Sequence, residues 1–180
     1  MDELDTFQIA VYAAGAIAVV IIVAHQVVCR ARPRPHVATA RDGALAWLVY
    51  ALLGAAVLLL GGSGISAALR GAMSGWPLLV HTLASAVFLP TIACAALIWA
   101  SRCEFGRETG YFPSEKLTFW IALAAALVAG ASMLSAMSAW VGYAVQQRLV
   151  EVHRYSSLVL LVATLMHLYL AAYRRARGKA

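Results

Sequence analysis

Apolar positions in this chain come in long unbroken runs. Ala, Val, Leu and Ile fill five stretches, residues 7–29, 43–61, 78–100, 117–137 and 152–173, in which Arg154 is the sole formal charge. Each run suits a hydrocarbon core of about 30 Å at about 1.5 Å rise per residue. None shows the alternation of a membrane β-strand, and lipid offers exposed backbone groups no hydrogen-bond partner, so helices are the consistent reading. The pattern predicts an all-α membrane protein: one integral-membrane domain over residues 1–180, crossed by five transmembrane helices.

Composition sharpens this into an exclusion. Of 180 residues, 63% are hydrophobic and 12% charged, with a mean hydropathy of +0.80, far from soluble globular averages. A water-soluble domain is ruled out. The net charge of +6 is a matter of topology. Arg30, Arg32, Arg34 and Arg41 lie between the first two runs, Arg102, Arg107 and Lys116 between the third and fourth, and Arg174, Arg175, Arg177 and Lys179 after the fifth. These eleven of the 14 basic residues fall on one side, against Arg70, Arg148 and Arg154 on the other. The positive-inside rule therefore predicts a multi-pass protein of the bacterial inner membrane with its N-terminus external and its C-terminus cytoplasmic. Basic clusters flanked by apolar spans need no nucleic-acid partner; membrane lipid suffices. The first run lacks a basic leader and reads as a retained helix. Residues 61–77, rich in Gly and Ser, read as the longest external connection, and R-P-R-P-H at 32–36 as a stiff cytoplasmic turn. Three cysteines, Cys29, Cys94 and Cys103, support neither a disulfide framework nor a thiolate metal site.

Four of the five histidines, His25, His81, His153 and His167, lie inside or at the edge of the apolar runs. Ionisable groups at membrane depth are costly and usually functional; the plainer alternative is a neutral imidazole hydrogen-bonded to a neighbouring helix. His153 and His167 share the fifth run. Their spacing leaves them about 40° apart around the helix and about 21 Å apart along it, so both rings leave nearly one face. The antiparallel succession sets His81 at the depth of His153, on the external side. It sets His25 at the depth of His167, on the cytoplasmic side. Two depth-matched imidazole pairs are what two bis-histidine haems require, since each iron takes one nitrogen on either face.

The segment E-V-H-R-Y-S-S-L-V-L-L-V-A-T-L-M-H-L-Y-L-A, residues 151–171, resembles the last helix of the cytochrome b (gamma) subunit family of membrane formate dehydrogenases and the related hydrogenase and thiosulfate reductase cytochromes b. V-H-T-L-A-S around His81 and Y-F-P-S-E-K-L-T-F-W at 111–120 resemble the family's ligand-bearing helix start and its polar, Lys-containing approach to the next helix. The likeness covers residues 42–174 and makes 1–41 an extra N-terminal helix and basic turn ahead of a four-helix cytochrome b-type bundle. One departure stands out. Where the family carries a ligand histidine before a tryptophan, this chain reads Arg41-Asp42-Gly43-Ala44-Leu45-Ala46-Trp47. His25 on the extra helix is one replacement, His36 in the turn is another, and loss of the inner haem is the third alternative.

The resemblance implies a haem b between His81 and His153 on the outer side and a second between His25 and His167 on the inner side, or one haem alone. It implies an electron-transfer anchor subunit of a respiratory oxidoreductase complex, with no substrate-converting site beyond quinone reduction. Its partners would be an iron–sulfur subunit and a catalytic subunit carrying molybdenum, tungsten or nickel–iron. Arg154 would be a partner for the outer haem's propionates or a solvated interfacial charge. A quinone site would draw on Tyr169, Ser114, Glu115 and Lys116, with Glu115 either a proton carrier or a surface carboxylate paired with Lys116. The competing reading is a haem-free or monohaem structural anchor.

Overall fold

The structure is a computed structural model that describes residues 5–30, 43–71, 73–106 and 111–178. It is all-helical among those residues: α1 Thr6–Arg30, α2 Ala44–Arg70, α3 Gly75–Trp99, α4 Pro113–Ala136 and α5 Tyr143–Gly178. All five are long and apolar enough to cross a membrane. His36, Arg107 and the 32–36 turn lie outside the described residues.

The helices alternate in direction, which gives the bundle two rims. Phe7, Ala68, His81, His153 and Tyr155 share the rim where α1 begins, through contacts such as the Gln8 amide to the Ala68 carbonyl (2.8 Å) and the Phe7–Tyr155 ring pair. Cys103, Glu115, Trp120, His167 and Arg174 share the other. These are called the first and second rims below.

Packing is strongest within two hairpins, α4 with α5 and α2 with α3, and sparse between them. Residue size explains the tighter hairpin. In α4 the buried positions Ala122, Ala125, Ala126, Ala129, Ser132 and Ala136 recur at helical spacing, forming a face of small side chains. Against it α5 buries Leu160, Ala163, Thr164, Leu170 and Ala171. Lipid is as apolar as leucine, so close van der Waals contact between small residues, not exclusion from water, holds such helices together. The hairpins meet in one central cluster of Ala56, Val57, Phe88, Ala122, Ala125, Ala126, Leu160 and Ala163. A second cluster, around Val49, Ala95, Trp99, Cys103 and Phe119, closes the second rim. Outward-facing aliphatics such as Leu97, 85% exposed, meet lipid.

α1 stands outside this four-helix core. None of its apolar window is buried, and its contacts run mainly to α5 and secondarily to α2.

Two boundaries differ from the sequence-based expectation. The stretch 61–77, expected as a connection, is helical through Gly61, Gly62, Ser63 and Gly64 to Arg70. Glycine weakens a helix in water, yet here the helical hydrogen bonds are the backbone's available partners at membrane depth, and Gly61 has a packing role. A Cβ there would lie 3.0 Å from Leu161 Cδ1, so the missing side chain admits α5. The helix ends where Gly71 turns left-handed at φ 79°. α5 likewise begins at Tyr143, before the expected start at 152, and runs to Gly178.

Ala126, 2% exposed at the middle of the central cluster, tests the small-residue packing. Ala126→Leu overfills the α4–α5 contact and is expected to cost about 1–3 kcal/mol, seen as a lower thermal midpoint of the purified protein in detergent. The same substitution at Ala124, on α4's exposed side, should leave the midpoint where it is.

Candidate functional site

At the first rim His81 of α3 and His153 of α5 face each other across the seam between the hairpins. Their ring centroids are 6.2 Å apart and their planes cross at 77°. Each Nδ1 has a partner. His153 Nδ1 donates to the Ala129 carbonyl of α4 at 2.9 Å. Because a carbonyl only accepts, the proton is on Nδ1 and the lone pair on Nε2. His81 Nδ1 lies 2.9 Å from Ser63 Oγ of α2, whose own proton points back to the Leu59 carbonyl at 2.6 Å. The serine therefore accepts, and His81 takes the same tautomer. Both rings thus direct Nδ1–H to an oxygen of a neighbouring helix.

That arrangement fits a bis-histidine metal. Two metal–imidazole bonds of about 2 Å, with about 1 Å more from each nitrogen to its ring centre, add up to about 6 Å between rings. A ligating histidine characteristically donates its other ring N–H to a carbonyl or other acceptor, which fixes the tautomer and raises ligand basicity. No group of three or more His, Cys, Asp or Glu among the described residues is arranged to hold a metal ion; a haem iron needs two axial nitrogens. Arg154, next to His153, holds its guanidinium 5.6 Å from the Phe7 ring centre of α1.

The second rim is organised differently. His167 Nδ1 donates to the Glu115 carbonyl at 3.1 Å and lies 3.2 Å from Thr118 Oγ1, both on α4. His25 of α1 has its Nδ1 2.8 Å from the Tyr169 hydroxyl and packs edge-on against the Tyr169 and Tyr173 rings. Tyr169 is two residues past His167, hence about 200° around α5. The structure thus seats His167 toward α4 and brings His25 to the far side of the same helix. His25 and His167 share a depth but reach different faces of α5.

Glu115 is fully enclosed, at 0% exposure. Its carboxylate accepts the Phe112 N–H at 2.8 Å, satisfying one of the orphan donors at the α4 N-terminus, and the Arg174 Nε–H at 3.0 Å. This corrects the expectation of a surface carboxylate: Glu115 is enclosed. The reason is the length of α5, which runs past His167 far enough to lay Arg174 over the start of α4, with its guanidinium 4.4 Å from the Tyr111 ring centre. Lys116, also buried, donates to the Glu104 carbonyl at 2.7 Å. Ser114 is exposed. The four residues expected around a quinone are therefore spread over separate settings: Ser114 outside, Glu115 and Lys116 in loop-closing bonds, and Tyr169 against α1.

Ser63, Thr118, Tyr111 and Arg174 were missed from sequence. A signal existed for some of them. In an antiparallel hairpin, positions equally far from the turn meet, and Ala129 and Glu115 stand as far before residue 141 as His153 and His167 stand after it. Ser63 and His81 are likewise symmetric about residue 72. Comparison with family models, with curated proteins and with solved structures finds no match to this chain.

Two measurements test the second rim. Glu115→Ala strands a buried guanidinium, which typically costs about 3–5 kcal/mol, so the thermal midpoint in detergent should fall sharply. Adding Arg174→Leu removes the stranded charge and should recover part of the loss. Cys103, 1% exposed between Trp99 and Trp120, has its thiol pushed up to about 11 by burial and by the Glu115 charge. Thiolates are the species that alkylate, so Cys103 should resist iodoacetamide at pH 8 in the folded protein and react once the chain is denatured.

Proposed function

We propose that this chain is a membrane-anchoring b-type cytochrome, carrying a haem between His81 and His153 and passing electrons between a peripheral oxidoreductase and the quinone pool. The observation that carries the reading is the His81–His153 pair: two imidazoles from different helices, 6.2 Å between centres, each with Nδ1 held by a neighbour. Held by His81 and His153, a haem would supply one-electron transfer there. The chain's own residues hold and orient that carrier. Ser63 and Ala129 hold the imidazoles. Arg154 offers a cation near the rim for propionates.

The resemblance of residues 42–174 to the formate dehydrogenase type of cytochrome b supplies the partners: an iron–sulfur subunit joined to a molybdenum, tungsten or nickel–iron catalytic subunit. The distribution of basic residues supports a bacterial inner-membrane setting with the His81–His153 rim external. Quinone would be met from within the bilayer.

The geometry favours one haem over two. His25 meets Tyr169 on the side of α5 away from His167, whose own Nδ1 is held by a carbonyl of α4 as that of His153 is, so the two rings do not face each other as His81 and His153 do. The dihaem reading rests on their common depth. A second haem there requires His25 to reach the face of α5 that bears His167.

Haem content per chain, with a reduced-minus-oxidised spectrum of the purified complex, tests both readings. One b-type haem is expected, abolished by His81→Ala or His153→Ala and retained in His25→Ala and His167→Ala. Two haems, with one lost in His25→Ala, would establish the dihaem arrangement. Absence of a b-type α band in the wild-type complex overturns the cytochrome reading and leaves a structural anchor.

A further inference from the structure

The two imidazoles of the first rim have unequal supports. His153 donates to the Ala129 backbone carbonyl at 2.9 Å. That acceptor is a main-chain atom with a large dipole, and no side-chain substitution removes it. His81 is held by a side chain, the Ser63 hydroxyl at 2.9 Å, with the Leu60 backbone carbonyl of the same helix as a second acceptor.

That hydroxyl is itself held. Ser63 bonds back along α2 to the Leu59 carbonyl at 2.6 Å, with the Leu60 carbonyl at 3.1 Å, the local back-bonding that serine adopts within helices. With its proton engaged, Ser63 offers His81 lone pairs only. It thereby selects the Nδ1–H tautomer and, by anchoring one ring edge, fixes the rotation of a ring whose centre lies 6.2 Å from that of His153. The unexpected continuation of α2 through 61–64 is what makes this possible. Had the chain left the helix at Gly61, neither Leu59 nor Leu60 would orient the hydroxyl, and Ser63 would not stand at the depth of His81.

We propose that Ser63 is the positioning residue of the haem site, acting through His81 to set the reduction potential and the axial ligand geometry of the haem. The inference rests on the cytochrome reading above. A hydrogen bond from Nδ1–H to an acceptor shifts electron density toward Nε2 and makes the imidazole a stronger donor. Stronger donation stabilises the ferric state more than the ferrous, so the bond holds the potential down. With His153 fixed by backbone, Ser63 is the side chain through which the sequence adjusts this balance.

The test uses the full chain in its native complex and reads two quantities that a purely structural serine would not move: the haem midpoint potential and the low-spin ferric electron paramagnetic resonance signal. Ser63→Ala removes the side-chain acceptor, leaving the Leu60 carbonyl, and should raise the potential and shift the signal. Ser63→Cys, near-isosteric with a weaker acceptor, should fall between alanine and wild type and covers the case in which the alanine variant fails to assemble. Ser63→Thr keeps a back-bonded hydroxyl and should restore both wild-type values. Loss of haem from Ser63→Ala, with an unchanged circular dichroism spectrum, also supports a positioning role. An unchanged or lowered potential in the alanine and cysteine variants, with haem present, overturns the inference while leaving the cytochrome reading intact. Wild-type protein without haem overturns both.

Discussion

A neutral imidazole at membrane depth carries one N–H, and hydrocarbon supplies no acceptor for it. Leaving that donor unmatched costs on the order of 1–3 kcal/mol, so every histidine in the bundle must meet an oxygen on a neighbouring helix. His153 meets the Ala129 carbonyl, His81 the Ser63 hydroxyl and His167 the Glu115 carbonyl, and His25 is matched to the Tyr169 hydroxyl. These bonds join α5 to α4, α3 to α2 and α1 to α5. They are directional, unlike the Ala and Leu contacts around them, so they specify which rotation of each helix is native. Small-residue packing lets α4 and α5 approach; the histidine bonds fix their rotation about each other.

The same requirement links scaffold and chemistry. Once Nδ1 donates to an oxygen, Nε2 is left as a lone pair, the form a metal takes. At the first rim two such lone pairs belong to rings facing each other across the seam between hairpins, where helix–helix contact is sparse. At the second rim the seam is filled by Val49, Ala95, Trp99, Cys103 and Phe119, and the histidines lie to its side, on either flank of α5. Filling one end and leaving imidazoles at the other makes the two ends of the bundle chemically unlike.

Sequence made the five helices and the His81–His153 pairing legible for one reason: both depend on depth, and depth follows from counting residues along apolar runs. It did not disclose which face of α5 His25 would reach. Depth gives no rotation, and the rotation of α1 is decided by Tyr169, Tyr173, Phe7 and Gln8 acting on a helix with no buried window of its own. Glu115 was misplaced for a related reason. Its partner is set by how far α5 projects beyond the apolar run, and hydropathy marks the end of the run, not the end of the helix. The glycines of 61–64 read as a connection because glycine propensity is measured in water, where an open backbone finds partners that lipid does not provide.

The position of α1 separates two demands that the chain places on α5. One flank of α5 presents His153 and His167 to α4 and to the seam; the opposite flank presents Tyr155, Tyr169 and Tyr173 to α1. Because these flanks are about 200° apart at the second rim, α1 can be held at both ends without touching the His81–His153 site. Its contacts with α5 include the Phe7 ring near one rim and an imidazole–phenol bond near the other, and Val11, Ala14, Ala18 and Ile22 form a part-buried stripe between them. A stripe that runs along the helix and faces mainly α5 means that changes in α1 act on α5 as a whole rather than on a single ligand. An influence of the added helix on the site then has two routes: through the α4–α5 contact, where the His153–Ala129 bond registers the relative position of the two helices, and through α2, which meets α1 at Gln8–Ala68 and carries Ser63 to His81.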